Sequence, residues 1–317
     1  MIVHMIRAWE VVIDKQMITT KSIKHIKSAD AVVELINTVN NTPILNKDNQ
    51  GDEPVSSVSA EPSVCVVIPV YDEDPGLLIA SIKSQHGIQS DIFVAVGSPK
   101  RFGMLIERQD ADYQFVKPNL NLTVGVRIAS ALNRILERVD LAKYDYLLRV
   151  DADAILTPFF IKACIEQDVD LVGEFGAMLM AMPAFRQVFH GRFPEVNKED
   201  IYISLKMKST NRLVALWNVP PIFRRLPGAG KPPNYFVENG LEMWKLGYEP
   251  FHVIWDALVR IMLRHEPVVL FQYVGYFGAL INRKKRYEFA KYVTAHQLPH
   301  VFKNIRIRTK FHKLHLE

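Results

Sequence analysis

The chain has 317 residues, 49% of them apolar, and carries 39 Lys and Arg against 34 Asp and Glu. With a mean hydropathy of +0.02, it belongs with soluble globular proteins and is long enough for one large domain or two smaller ones. Its two cysteines, Cys65 and Cys164, lie far apart inside apolar runs, which excludes a disulfide framework and a cysteine-based zinc site and fits a reducing compartment.

Residues 1–10 lack a continuous apolar stretch after a basic start, so no signal peptide is expected. Residues 1–62 read as an extension: Ser28 is placed to cap a helix through Ala31, Val32, Val33, Leu35 and Ile36, and residues 40–63 have linker composition. A domain then begins abruptly. Residues 64–68 form an apolar, β-prone run closed by Pro69, suited to a strand buried on both faces. Residues 76–85 have helical spacing, residues 92–96 predict a second strand closed by Gly97-Ser98-Pro99, and residues 124–139 predict a helix. Residues 146–150 predict a strand that runs directly into Asp151-Ala152-Asp153. Alternating strands and helices predict an α/β domain with a mostly parallel sheet flanked by helices, over about residues 63–220. In such sheets ligands bind beyond the carboxyl ends of the strands, where Asp72, Glu73, Asp151 and Asp153 fall.

Three groups of residues carry chemistry. In extended backbone, Asp151 and Asp153 point the same way and can face one divalent cation, since paired carboxylates repel and hard oxygen ligands suit Mg²⁺ or Mn²⁺. Taken alone, the pair also reads as a solvated turn. Pro69-Val70-Tyr71-Asp72-Glu73 offers a flat ring for a base and a carboxylate for a base edge or ribose, or else an ordinary turn into a helix. Gly191-Arg192-Phe193-Pro194-Glu195, followed by Glu199-Asp200, opens a further helix, where acids also stabilise a helix start.

In this order and spacing, the three groups, with Gly125-x-Arg127 and Asn133, resemble the family 2 glycosyltransferases of GT-A fold over about residues 64–216. The resemblance implies an inverting enzyme that transfers a hexose from a UDP- or GDP-linked sugar to a glycan or lipid-linked acceptor. Asp153 would bind Mn²⁺ or Mg²⁺, and Asp151 would hold the ribose or the metal's water shell. Pro69, Tyr71 and Glu73 would line the nucleoside pocket, with Arg127 near it. Asp200 would be the general base, and Glu199 would help to place the donor sugar or the acceptor. One departure stands out: where the family carries an acidic turn after the second strand, this chain has Ala95-Val96-Gly97-Ser98.

Residues 221–317 read as a helical region with a basic tail. From residue 282 onward there are ten Lys and Arg against two acids, leaving 29 against 32 in the rest of the chain. Such a tail favours an anionic surface, either lipid head groups or nucleic acid; the expected location is cytoplasmic, with peripheral attachment at the inner membrane face on the lipid reading. The longest apolar stretch, residues 268–281, is too short to span a bilayer. Residues 252–264 are apolar on most sides and fit a core-packed helix or a membrane-surface one, with Trp244 and Trp255 expected in the core. Gly228-Ala229-Gly230-Lys231 lacks phosphate-loop spacing, while Arg224, Arg225 and Lys231 are candidates to close over a diphosphate. The scattered histidines have no ligand-like spacing. Two other readings are weaker. A nucleotidylyltransferase needs a Gly-rich basic loop where residues 70–76 have none, and a non-catalytic nucleic-acid binder leaves the three aspartates unexplained, so no nucleic-acid partner is expected.

Overall fold

A computed structural model describes residues 61–174, 176–223, 232–264 and 267–296. The expected helix at 31–36, the Gly228–Lys231 loop with Arg224 and Arg225, His265, the tail beyond 296 and the side chains of Asp256, Arg260 and Arg264 lie outside the described residues.

The centre is a seven-stranded mixed sheet in the order β3-β2-β1-β4-β7-β6-β8. Its first four members, β1 (Ser63–Val70), β2 (Gln89–Val96), β3 (Asp112–Phe115) and β4 (Tyr146–Val150), are mutually parallel. The antiparallel strand β7 (Ala177–Ala181) joins β4 to β6 (Leu171–Glu174), and β8 (Val214–Ala215) closes that edge. Helices cover both faces. On one, Val64, Val66 and Ile68 of β1 pack with α1 (Gly76–Lys83), Leu105 of α2 (Pro99–Leu105) and α4 (Phe160–Ile165). On the other, Cys65 and Val67 pack with α3 (Val124–Leu136), α5 (Met182–Phe189) and α6 (Glu199–Ser209). The continuous apolar run of β1 follows from this two-sided burial. The result is the expected α/β architecture, a mostly parallel sheet flanked by helices, and it is consistent with a GT-A-like fold.

Pro69 does not end the first strand. The strand continues to Val70, with Pro69 paired to Ala95 of β2. Pairing with β4 has already stopped at Val67–Arg149, so the missing proline N–H is not called on by that neighbour.

A short pair, β5 (Ala154–Ile155) with β9 (Ile222–Phe223), brings the chain back beside the Asp151–Asp153 turn. Then follow α7 (Pro233–Leu246), α8 (Pro250–Arg264) and α9 (Phe271–Ile281). Helices α7 and α9 cross almost backbone to backbone. A Cβ on Gly240 would lie 1.8 Å from the Gln272 carbonyl oxygen, and one on Gly275 would lie 1.8 Å from that of Val237. Beside the crossing, the Asn239 amide Nδ2 donates to Gln272 Oε1 at 2.7 Å in a buried setting. Trp255 is half exposed rather than in the core, because α8 buries Val253 and Ala257 and turns its 251–254–255–258 flank outward.

Candidate active site

The carboxyl ends of β1, β2 and β4 meet at one edge of the sheet. After β1, the Glu73 carboxylate folds back and accepts the N–H groups of Tyr71 (3.4 Å) and Asp72 (3.2 Å). Arg101, on α2, donates from Nη2 to the Asp72 carbonyl at 2.5 Å, and Arg108 makes a two-pronged ion pair with Asp74 at 2.8 Å. The Tyr71 ring is half exposed and lies over Gly97, where a Cβ would approach Tyr71 Cδ2 to 3.0 Å. A side chain at 97 would push the ring away. The Ala95–Ser98 segment, which carries no acid, therefore supports an aromatic shelf.

After β4 the chain does not stay extended. The Ala154 N–H donates to the Asp151 carbonyl at 3.0 Å, so Asp151–Ala154 is a tight turn, and the expectation that extended backbone aligns Asp151 with Asp153 is corrected. What fixes Asp151 is Arg149. Its guanidinium Nη2 sits 3.0 Å from Asp151 Oδ1 and 2.8 Å from Glu199 Oε1. The Arg149 side chain is only 3% exposed, and its Nε and Nη1 have no hydrogen-bond partner among the described residues. Burial pushes the Asp151 carboxyl up to about 6; Arg149 opposes that, while Asp153, Asp200 and Glu73 add to it. Glu199 is also raised, again by burial first and against the pull of Arg149.

Helix α6 opens with Lys198 in left-handed backbone (φ 57°) and Glu199 and Asp200 in its first turn. Asp200 is half-buried and accepts the Ile201 N–H at 2.7 Å, whereas Glu199 is 4% exposed and faces inward. Its Oε1 lies against the buried Arg149 guanidinium. The start of α3 presses on the same turn. A Cβ on Gly125 would come within 2.9 Å of Glu199 Oε2, the Lys198 nitrogen and the Val196 oxygen. Arg127, two residues on, is half-buried with its Nε lacking a partner among the described residues, and so is the Thr123 hydroxyl. Asn133 clips the preceding loop: its Oδ1 accepts the Phe193 N–H at 2.7 Å, and its Nδ2 donates to the Phe193 carbonyl at 2.9 Å and Glu195 Oε1 at 3.3 Å.

Glu73, Asp153 and Asp200 thus each act electrostatically on Asp151, and the buried Arg149 joins Asp151 to Glu199. Asp151, Glu199 and Asp200 share this one guanidinium, an anionic excess that a divalent cation would neutralise, and hard oxygens suit Mg²⁺ or Mn²⁺. Among the described residues no three His, Cys, Asp or Glu side chains form a ready-made cage. A cation beside Asp151 and Asp153 would need phosphate oxygens to complete its shell. Arg149 and Arg101 were not singled out in the sequence. The signal for Arg149 was a lone cation inside the apolar strand Tyr146–Val150. The clefts lined by Leu141, Ala142 and Arg186 lie near the amino end of β4, away from these carboxylates.

The chain matches no family model and no curated protein sequence. Solved structures similar to it include the mannosyltransferase PcManGT from Pyrobaculum calidifontis, determined with GDP-Man and Mn²⁺. That likeness has 15% identity and a TM-score of 0.44, over 78% of this chain and 83% of that one. TarS of S. aureus is similar at 15% identity and a TM-score of 0.43, over 65% of this chain and 44% of that one. A mycobacterial protein follows at 15% identity and 0.41, over 60% and 77%. With identities and scores this low, the functional reading rests on the chain's own residues.

Proposed function

We propose that the chain is an inverting glycosyltransferase that moves a hexose from a UDP- or GDP-linked sugar to a hydroxyl of a glycan or lipid-linked acceptor. The observation that carries this reading is the joining of Asp151 to Glu199, and through it to the Asp200 turn, by one buried guanidinium at the carboxyl edge of the sheet.

In this reading Tyr71 stacks on the donor base beside Pro69, and Glu73 and Asp151 face the ribose. Arg127 lies close to the nucleoside side of the site. Asp151 and Asp153 hold Mn²⁺ or Mg²⁺; bound there, such an ion neutralises charge developing on the diphosphate leaving group. Asp200 accepts the proton of the acceptor hydroxyl while that oxygen attacks the anomeric carbon and the bond to the diphosphate breaks. One base and one displacement give inversion, with no covalent enzyme intermediate. Glu199 and Arg149 hold the base turn and the donor turn at fixed separation.

The test is Asp200→Asn, which keeps side-chain volume and removes proton acceptance. Transfer at saturating donor should fall by roughly 10²–10⁴-fold while donor affinity stays near that of the parent. If Asp200 serves only as a helix-start acid, the variant will transfer at close to the parent rate, because Asn is also accepted at helix starts.

A further inference from the structure

The outward faces of α8 and α9 are unusual for a soluble surface. On α8, Phe251, Ile254, Trp255 and Leu258 are exposed and recur at helical spacing along one flank, with Val253 and Ala257 buried on the other. Helix α9 contains no charged residue in its eleven positions. It buries Gln272, Gly275, Tyr276 and Ala279 towards α7 and exposes Phe271, Val274 and Ile281 along a second flank. Phe251, Val274 and Ile281 are 69%, 63% and 77% exposed. The two helices lie side by side where the Tyr273 hydroxyl donates to the Ile254 carbonyl at 2.9 Å.

Directly after α9 come Arg283, Lys284, Lys285 and Arg286. The chain is turned there by Arg283 in left-handed backbone (φ 49°) and by the Lys284 N–H donating to the Ala279 carbonyl at 2.9 Å. The Trp244 indole donates to the Lys284 carbonyl at 2.8 Å, and the Arg286 guanidinium lies 3.7 Å over the Trp244 ring. The first three basic side chains are exposed. The cluster is thus held in place at the edge of the apolar flanks.

We infer that α8, α9 and residues 283–286 form a docking surface for a phospholipid membrane with anionic head groups. Apolar flanks of this kind bury their side chains at the boundary of head group and acyl chain, and a bordering basic cluster meets the lipid phosphates. A second copy of the chain answers the apolar flanks but brings the same positive charge to the rim. Only the lipid surface complements both.

The surface is coupled to the base helix. Tyr202, two residues after Asp200, packs edge-on against Tyr287 and against Phe289, each at 4.9 Å, and Lys206 pairs with Glu288. Docking would hold the acceptor half of the site beside the bilayer, which favours a lipid-linked acceptor over a free glycan. This last step rests on the sugar-transfer reading; the docking surface does not.

The experiment is sedimentation of the full chain with phosphatidylcholine vesicles, with and without phosphatidylglycerol. The parent should pellet with the phosphatidylglycerol vesicles. The variant Phe251→Ser/Val274→Ser/Ile281→Ser should lose on the order of tenfold or more in partition with an unchanged melting temperature. The variant Arg283→Gln/Lys284→Gln/Lys285→Gln should lose the preference for anionic vesicles, by about fivefold per residue removed. A parent that stays in the supernatant overturns the proposal, as does a serine variant that pellets like the parent. It is also overturned if the serine substitutions split a dimer without affecting vesicle binding. Mn²⁺-dependent binding of UDP and GDP, measured without vesicles, separates the two readings. Nucleotide binding without vesicle binding removes the docking surface alone, and vesicle binding without nucleotide binding removes the transferase reading alone.

Discussion

Arg149 is the charge on which the two halves of the site meet. It sits among buried Leu147, Leu148 and Val150 on β4, and its guanidinium faces Asp151 and Glu199 at once. Replacing it with methionine leaves the buried Glu199 carboxylate, and the partly exposed Asp151 beside it, without their cation. Arg149→Met should lower stability by about 3–5 kcal/mol, seen as a fall in the urea midpoint. Arg149→Lys keeps the charge but not the planar fork that bridges two acids, so it should recover only part of that loss. At this scale the sequence was legible in part. The carboxylates Asp151, Asp153, Glu199 and Asp200 stood out by their position after a strand and at a helix start. Their division of labour did not, because inward Glu199 and half-buried Asp200 are neighbours in sequence, and only the fold turns one towards Arg149.

Among the elements, α3 and the loop leading into α6 are the pair that sets the site. Gly125 has no room for a side chain, and the atoms it would meet include the Lys198 nitrogen and Val196 oxygen, which are backbone and cannot swing aside. Gly125→Ala should cost about 1–3 kcal/mol and, by shifting the first turn of α6, should slow transfer even where the protein remains folded. Thermal melting and a transfer assay at saturating donor check the two parts. Asn133→Ala should cost a further, separate amount of about 1–3 kcal/mol, because it strips the buried Phe193 N–H and carbonyl of their partner. Gly125, Asn133 and the Gly191–Glu195 segment were readable as separate words in the sequence. That they are one contact was not, since the Asn133 partner lies sixty residues on. Strand β1 shows the reverse case. Its apolar run was plain, but its end was misplaced at Pro69, whose tolerance depends on β4 having already parted from it.

On the scale of the whole molecule, a sheet domain with the carboxylates at its edge is joined to a helical part through α6, Tyr287 and Phe289. The helical part depends on the Gly240–Gly275 crossing. Gly275→Ala should destabilise by about 3 kcal/mol, measured by urea unfolding, since the obstructing atom is the Val237 carbonyl in the middle of a helix. Helices in this region were legible from their apolar spacing, but which flank faces inward was not, because almost every position is apolar and the small residues that permit the crossing are over thirty residues apart. The central claim concerns the sheet edge: that Asp151 and Asp153 hold a divalent cation together with a nucleoside diphosphate. Calorimetric titration of UDP and GDP, with and without Mn²⁺, tests it most directly in the parent and in Asp153→Ala. The account predicts Mn²⁺-dependent binding by the parent, and its loss in a variant that melts at the parent temperature. Unchanged Mn²⁺-dependent affinity in Asp153→Ala would contradict it.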